Sequence, residues 1–163
     1  METINLGGQH TIFNHFISEI RNVKIQEDRM RFRRNIERIG EVFAYEISKK
    51  MDYAHKDIIT PLGISQEKLM VEKPVLATIL RAGIPLHQGL LNYFDGSDSA
   101  FISAYRKHKK GGEFEIKIEY MSSPNLDNKT LILCDPMIAS GASMVMAMEA
   151  ILRKGTPKHI HVV

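Results

Sequence analysis

The sequence predicts a doubly wound, mostly parallel α/β sheet with a helical N-terminal arm and a β-hairpin. Three observations carry this reading. Short runs rich in apolar and β-branched residues recur after residue 73: PVLATIL (74–80), TLILCD (130–135) and IHVV (160–163). Runs of this length bounded by turn residues mark strands buried on both faces, as parallel sheets require. Helical patterns lie between them, and such alternation gives a sheet with helices on both sides. Finally, FEIKIEY (114–120) alternates strictly, as a strand with one face in solvent does.

The elements follow in order. Residues 1–70 read as the helical arm and 71–163 as the α/β core of a single domain. In the arm, Phe32, Ile36, Ile39, Phe43 and Ile47 recur at steps of three and four, which places one apolar stripe on a helix over 28–51. Glu27 and Asp28 suit its start, and Lys49 and Lys50 its end. Gly40 inside it costs about 1 kcal/mol against Ala and points to a close packing contact. Arg29, Arg31, Arg33, Arg34 and Arg38 give this helix a basic face, read as solvated because Glu37 and Glu41 interleave. After strand 74–80, Pro85, Leu86, Leu90 and Phe94 form a helix that Asp95 and Gly96 stop. AFISAYR (100–106) is a strand, joined to 114–120 by a basic connection over 107–112. Met144, Val145, Met148, Ile151 and Leu152 form the helix after strand 130–135, closed by Gly155 and Pro157.

Composition sets bounds on function. The chain has 163 residues, of which 44% are hydrophobic and 25% charged, with a net charge of +3. This is globular composition, and the charge excess is too small to argue for nucleic acid. The single cysteine, Cys134, excludes an intrachain disulfide and fits a reducing setting. No apolar run approaches the ~18 residues of a membrane span, and the opening METINLGGQH lacks signal-peptide form. The expectation is a cytoplasmic protein that engages neither membrane nor nucleic acid.

Ligands of open α/β sheets bind beyond the carboxyl ends of the strands. Strand 130–135 delivers one acid, Asp135, to that edge. Pro136, Met137 and Ile138 lead into the small residues Ala139, Ser140, Gly141, Ala142 and Ser143, which open directly into a helix. Small side chains let backbone N–H groups approach a ligand, and the first helical N–H groups have no internal partner. The loop therefore reads as a phosphate site, or as an N-cap provided by Ser140 or Ser143. Neither a P-loop nor a G-x-G-x-x-G fingerprint occurs. Strand 74–80 ends in Leu80-Arg81-Ala82-Gly83, where the guanidinium suits bidentate phosphate recognition or a structural ion pair, and Gly83 suggests an unusual backbone conformation. Tyr105-Arg106 ends the next strand. Three adjacent strands are thus expected to bring Arg81, Arg106 and Asp135 to one edge. His159 and His161 share one side of their strand, without a third metal ligand nearby.

These motifs carry a resemblance. LRAG (80–83), YR (105–106) and DPMIASGAS (135–143) resemble the uracil phosphoribosyltransferases, as does the helix around Arg31-Phe32-Arg33 leading to Tyr45-Glu46. The resemblance runs from about residue 10 to the end. It departs at the loop, where the family has Thr-Gly-Gly-Ser and this chain Ser140-Gly141-Ala142-Ser143; Ala142 is harmless only in helical backbone. Cys134 holds the place where many other phosphoribosyltransferases have a first acid, and an apolar residue there agrees with the uracil enzymes.

The resemblance implies transfer of ribose 5-phosphate from phosphoribosyl pyrophosphate to uracil, giving UMP and pyrophosphate. Arg81 and Asp135 then have catalytic roles. Arg81, Arg106, Asp135, Pro136, Met137, Ile138, Ala139, Ser140, Gly141, Ala142 and Ser143 contact the donor, and Mg²⁺ is carried mainly on that substrate. The segment 107–112 reads as an ordinary solvated hairpin turn, or as one that folds over bound donor. A homodimer or higher homo-oligomer is the expected assembly. Nothing here matches the family's Gly-rich uracil-binding segment, so the uracil contacts are unassigned. The expectation is a C-terminally incomplete chain, less stable and inactive toward uracil. The competing readings are a non-catalytic regulator binding phosphoribosyl pyrophosphate, a nucleotide or RNA, and a phosphoribosyltransferase for another base.

Overall fold

The computed structural model describes residues 2–108 and 114–163, and their side chains apart from those of 105–108 and 114–117. Two helices form the arm: α1 (Phe13–Arg21) and α2 (Arg29–Ser48). Asp28 caps α2, its carboxylate accepting from the N–H groups of Met30 and Arg31 at 3.1 and 3.0 Å. The apolar stripe of α2 faces inward as the sequence predicts, with Ile36, Ile39 and Ile47 buried. The basic face is largely occupied. Arg31 pairs with Glu19 of α1 at 3.3 Å, and Arg34 with Glu37 at 2.6 Å. Arg38 donates to the buried Asn35, whose amide donates to Glu19 at 2.6 Å, fastening α1 to α2.

The arm is helical only as far as Ser48. A hairpin follows, of β1 (Tyr53–Thr60) and β2 (Gly63–Met70), paired antiparallel from Tyr53↔Met70 to Thr60↔Gly63. Thr60 closes its turn, accepting from the Leu62 N–H at 3.2 Å and donating to the Gly63 carbonyl at 2.8 Å. The sequence carries no sign of it because both faces are largely exposed, so no apolar alternation is needed. Lys158 ties down its base, bonding Asp52 at 2.9 Å and Glu72 at 3.0 Å.

The core strands are β3 (Val75–Leu80), β4 (Ser99–His108), β5 (Phe114–Ser122), β6 (Thr130–Cys134) and β7 (His159–Val162), with helices α3 (Ile84–Tyr93) and α4 (Ala142–Ile151) between them. They form one sheet in the order β5-β4-β3-β6-β7. All pairings are parallel except β4 with β5, the expected β-hairpin. Strand alternation sends Leu76, Ile132 and Cys134 toward α1, α2 and α3. It sends Val75, Ala77, Ile79, Leu131 and Leu133 toward the opposite face, with Met144, Ala147 and Ile151 of α4. The sheet is therefore doubly wound. Each buried Leu or Ile contributes roughly 1.5–3 kcal/mol, which explains the fully apolar β3 and β6.

The last strand differs from expectation. IHVV reads as a strand buried on both faces, yet Ile160 is 36% and Val162 47% exposed. β7 is the outer strand and pairs with β6 alone among the described residues.

Helices α2 and α3 cross at two buried glycines. A Cβ on Gly40 would meet the Leu86 carbonyl and lie 3.1 Å from the Gly89 Cα; one on Gly89 would meet the Glu37 carbonyl. The close contact inferred for Gly40 is thus real, and Gly89 is its counterpart. Gly89→Ala should cost about 1–3 kcal/mol in urea unfolding, because a rigid backbone contact must open.

Two histidines resist charging. Burial lowers the pKa of His87, whose ring stacks on Phe101 at 5.2 Å. Burial, then His159 and Lys50, lower that of His161. The unfolded chain takes these protons more readily, so stability falls as pH drops through about 6.5. Melting should therefore occur at a lower temperature at about pH 5.5 than at about pH 7.5, and His87→Leu should flatten that dependence.

Candidate active site

Strand order places the site. The chain leaves β3 through α3 toward β4 on one side, then returns to β6 on the other side of β3. Helices α3 and α4 accordingly lie on opposite faces, and a crevice opens where the carboxyl ends of β3 and β6 diverge. Arg81 follows β3 and Asp135 follows β6. β4, which carries Arg106, is the other neighbour of β3, so the three strands expected to be adjacent are adjacent. Arg106 lies three residues beyond Ser103, the last β4 residue paired with β3, and is paired with Ile116. Its side chain lies outside the described residues, as do residues 109–112 of the segment read as a turn or a lid.

Asp135 is held through its backbone. Its N–H donates to the Val163 carbonyl at 2.9 Å, and the Val163 N–H donates to Leu133 at 3.0 Å. This anchor is invisible in the sequence because it involves no side chain. Burial raises the carboxyl above the ordinary aspartate value, opposed by a hydrogen bond from the Met137 N–H. Cys134 faces the core instead. Burial pushes its thiol up to about 12, so it stays protonated and is no nucleophile.

Asp135, Met137, Ile138, Ala139, Ser140, Gly141, Ala142, Ser143 and Met144 line one cavity of about 30 Å³. Every expected loop residue except Pro136 is present. Gly141 supplies the bend at the head of α4, with φ +76°. Ala142 is the first residue of α4, so its methyl group sits in helical backbone and the departure from Gly-Gly is tolerated. No side chain of the cap residue closes the helix; Ser140 Oγ stands 3.5 Å from the Ala142 N–H, a long contact. The loop thus offers backbone N–H groups at the positive end of a helix, beside one carboxylate.

Arg81 is exposed and pairs with no carboxylate among the described residues. Gly83 also departs from expectation. Its φ of −72° is open to any residue, and what excludes a side chain there is space. The Leu80–Arg81 peptide bond is cis.

A larger cavity, about 220 Å³, lies at the amino ends of β6 and β7, lined by Lys50, Met51, Asp52, Thr130, Lys158, His159 and His161. Its Lys158 is already matched by Asp52 and Glu72. It sits at the edge away from Asp135 and Arg81, and chemistry rather than size assigns the site. His159 and His161 pack ring to ring at 4.5 Å. Among the described residues no group of three His, Cys, Asp or Glu could hold a metal.

The family model for uracil phosphoribosyltransferase matches residues 7–163. The chain belongs to the uracil phosphoribosyltransferase family. A uracil phosphoribosyltransferase of Porphyromonas gingivalis is 56% identical over 162 residues, covering 99% of this chain and 75% of that protein. One from Thermococcus sibiricus is 35% identical over 147 residues, covering 88% and 62%. The fold agrees with solved structures. A protein from Aquifex aeolicus superposes with a TM-score of 0.80 at 24% identity, over 94% of this chain and 72% of that one. A purine phosphoribosyltransferase from Pyrococcus horikoshii gives 0.56 at 15%, over 78% and 69%. The phosphoribosyltransferase-like fold expected from the motifs is therefore the observed one, and no helix among the described residues is long and apolar enough to cross a membrane.

Two substitutions separate geometry from charge at this family's loop. Asp135 prefers its proton more in the folded chain than in the unfolded one, so its charge costs stability at pH values above about 4. Asp135→Asn should therefore melt no lower than the parent at neutral pH, and calorimetry will read this. Gly141→Ala meets no neighbour closer than 4.0 Å, yet forces a side chain into left-handed backbone and should cost about 1–2 kcal/mol.

Proposed function

We propose that this chain transfers ribose 5-phosphate from phosphoribosyl pyrophosphate to uracil, giving UMP and pyrophosphate. The observation that carries this reading is Asp135 set beside the small-residue loop at the head of α4, with Arg81 on the neighbouring strand end. Family membership supplies the acceptor base.

The reaction breaks the bond between the ribose anomeric carbon and a pyrophosphate oxygen. It forms a carbon–nitrogen bond to uracil, whose ring nitrogen loses a proton. Positive charge builds on the sugar and negative charge on the leaving group. No covalent nucleophile is needed, so catalysis is positioning and electrostatics. The N–H groups of Ala139–Ser143 hold the 5′-phosphate. Asp135 accepts from the ribose hydroxyls, and its carboxylate suits the positive charge developing beside it. Arg81 and Arg106 neutralise the pyrophosphate. Asp135, the one carboxylate lining this cavity among the described residues, fits a Mg²⁺ that arrives on the donor, since Mg²⁺ is held by one or two carboxylates plus substrate phosphates and keeps its waters. When bound, that ion offsets charge on the leaving group.

The working form is a cytoplasmic homo-oligomer. The β1–β2 hairpin supports self-association: Ile59, Leu62 and Ile64 at its tip are 90%, 101% and 71% exposed, and apolar groups so displayed favour a protein partner.

Uracil, phosphoribosyl pyrophosphate and Mg²⁺ together should yield UMP and pyrophosphate, and such turnover would overturn the expectation of a chain inactive toward uracil. Arg81→Ala should raise KM for the donor and lower kcat, by about tenfold or more in kcat/KM. Asp135→Asn should lose turnover while keeping its melting temperature. Unchanged kinetics in Arg81→Ala would remove that residue from the mechanism, and preferred use of another base would overturn the uracil assignment.

A further inference from the structure

We infer that Gly83 is a positioning residue that keys the Arg81 turn onto the strand end carrying Asp135, with Thr78 as its counterpart. The inference rests on the proposed donor site and adds to it a device joining its two halves.

Gly83 is buried at the junction of four segments. Its N–H donates to the Ile79 carbonyl at 3.1 Å, and its carbonyl accepts from the His87 N–H at 2.9 Å, starting α3. Its backbone conformation asks nothing of glycine, with φ −72° and ψ −11°. Its surroundings do. A Cβ there would meet Thr78 Oγ1, stand 2.8 Å from the Ile79 carbonyl oxygen, and lie 3.3 Å from the Cys134 carbonyl oxygen. The last of these belongs to the peptide that leads into Asp135.

Thr78 completes the joint. It is fully buried, is the register partner of Cys134, and its hydroxyl donates to the Cys134 carbonyl at 3.4 Å. One hydroxyl thus touches both the turn bearing Arg81 and the peptide preceding Asp135. A shift of the turn is transmitted to the acid, because buried contacts of this kind have no slack. Displacements near 1 Å at a binding site are costly out of proportion to their size.

The test compares Gly83→Ala with Gly89→Ala, a second crowded glycine whose close neighbours are Glu37 and Glu41 of α2. Phosphoribosyl pyrophosphate affinity is measured by calorimetry on folded protein, and amide exchange is followed without ligand. Gly83→Ala should weaken donor binding about tenfold or more and speed exchange at the amides of residues 83 and 135 together. Gly89→Ala should lower stability and leave donor affinity within about twofold. Adding Thr78→Ala to Gly83→Ala should recover part of the lost affinity, since it removes one obstructing atom. Should Gly83→Ala fail to fold, Thr78→Val crowds the same joint from the other side and should give the same paired exchange. Parent-like affinity in Gly83→Ala, equal affinity losses in both glycine variants, or faster exchange at residue 83 alone would each overturn the inference. If the parent chain binds no donor, the donor reading falls, and the exchange pattern still decides whether the joint exists.

Discussion

The parallel pairing of β3 with β6 is the contact on which the ligand edge depends. These two strands run side by side from Val75↔Leu131 to Thr78↔Cys134, are covered on both faces, and diverge in connection at their carboxyl ends. Arg81 and Asp135 owe their proximity to this register and to nothing in their own side chains. Because side chains alternate across a strand, a slip of one residue would turn Cys134 to the α4 side of the sheet and carry Asp135 out of step with Arg81. The apolar monotony of β3 and β6 is therefore a functional requirement as well as a stabilising one.

Glycine enters this structure for two different physical reasons. Gly141 is needed for a dihedral angle, since its φ of +76° falls where other residues are strained. Gly40, Gly83 and Gly89 are needed for room, with ordinary backbone and neighbours too close for a methyl group. The first bends the phosphate loop into its helix. The others let backbone meet backbone at a helix crossing and at a strand end. The arm and the core are joined through the crossing of α2 and α3, so close packing in one supports the sheet edge of the other.

Most of the core and the site loop was legible in the sequence, because both leave strong local marks. Buried strands appear as unbroken apolar runs. The loop appears as an acid followed by small residues ahead of a helical stripe. What escaped has no such mark. The β1–β2 hairpin buries neither face and so shows no alternation. β7 carries the composition of a buried strand while lying at the sheet's outer edge, and composition cannot report a strand's place in the sheet order. The hold of Val163 on Asp135 is backbone to backbone, and the crowding at Gly83 depends on where Thr78 and Cys134 lie in three dimensions. Gly83 could be recognised as special from the sequence, but the reason for it could not.

The uncapped start of α4 has a thermodynamic side. A helix whose first turn is met only by one long contact, from the Ala142 N–H to Ser140 Oγ, holds part of its stabilisation in reserve, to be released when an anion arrives. Any ligand that binds only the folded chain deepens the native well by mass action, about 2.7 kcal/mol at a hundredfold excess over Kd. Asp135, whose ionised form is disfavoured in the free protein, would draw on the same reserve when sugar hydroxyls replace lost water. On the proposed reading, binding and folding of the segment from Asp135 to Ser143 are a single equilibrium, in which the donor would be a structural component of the fold it reacts in.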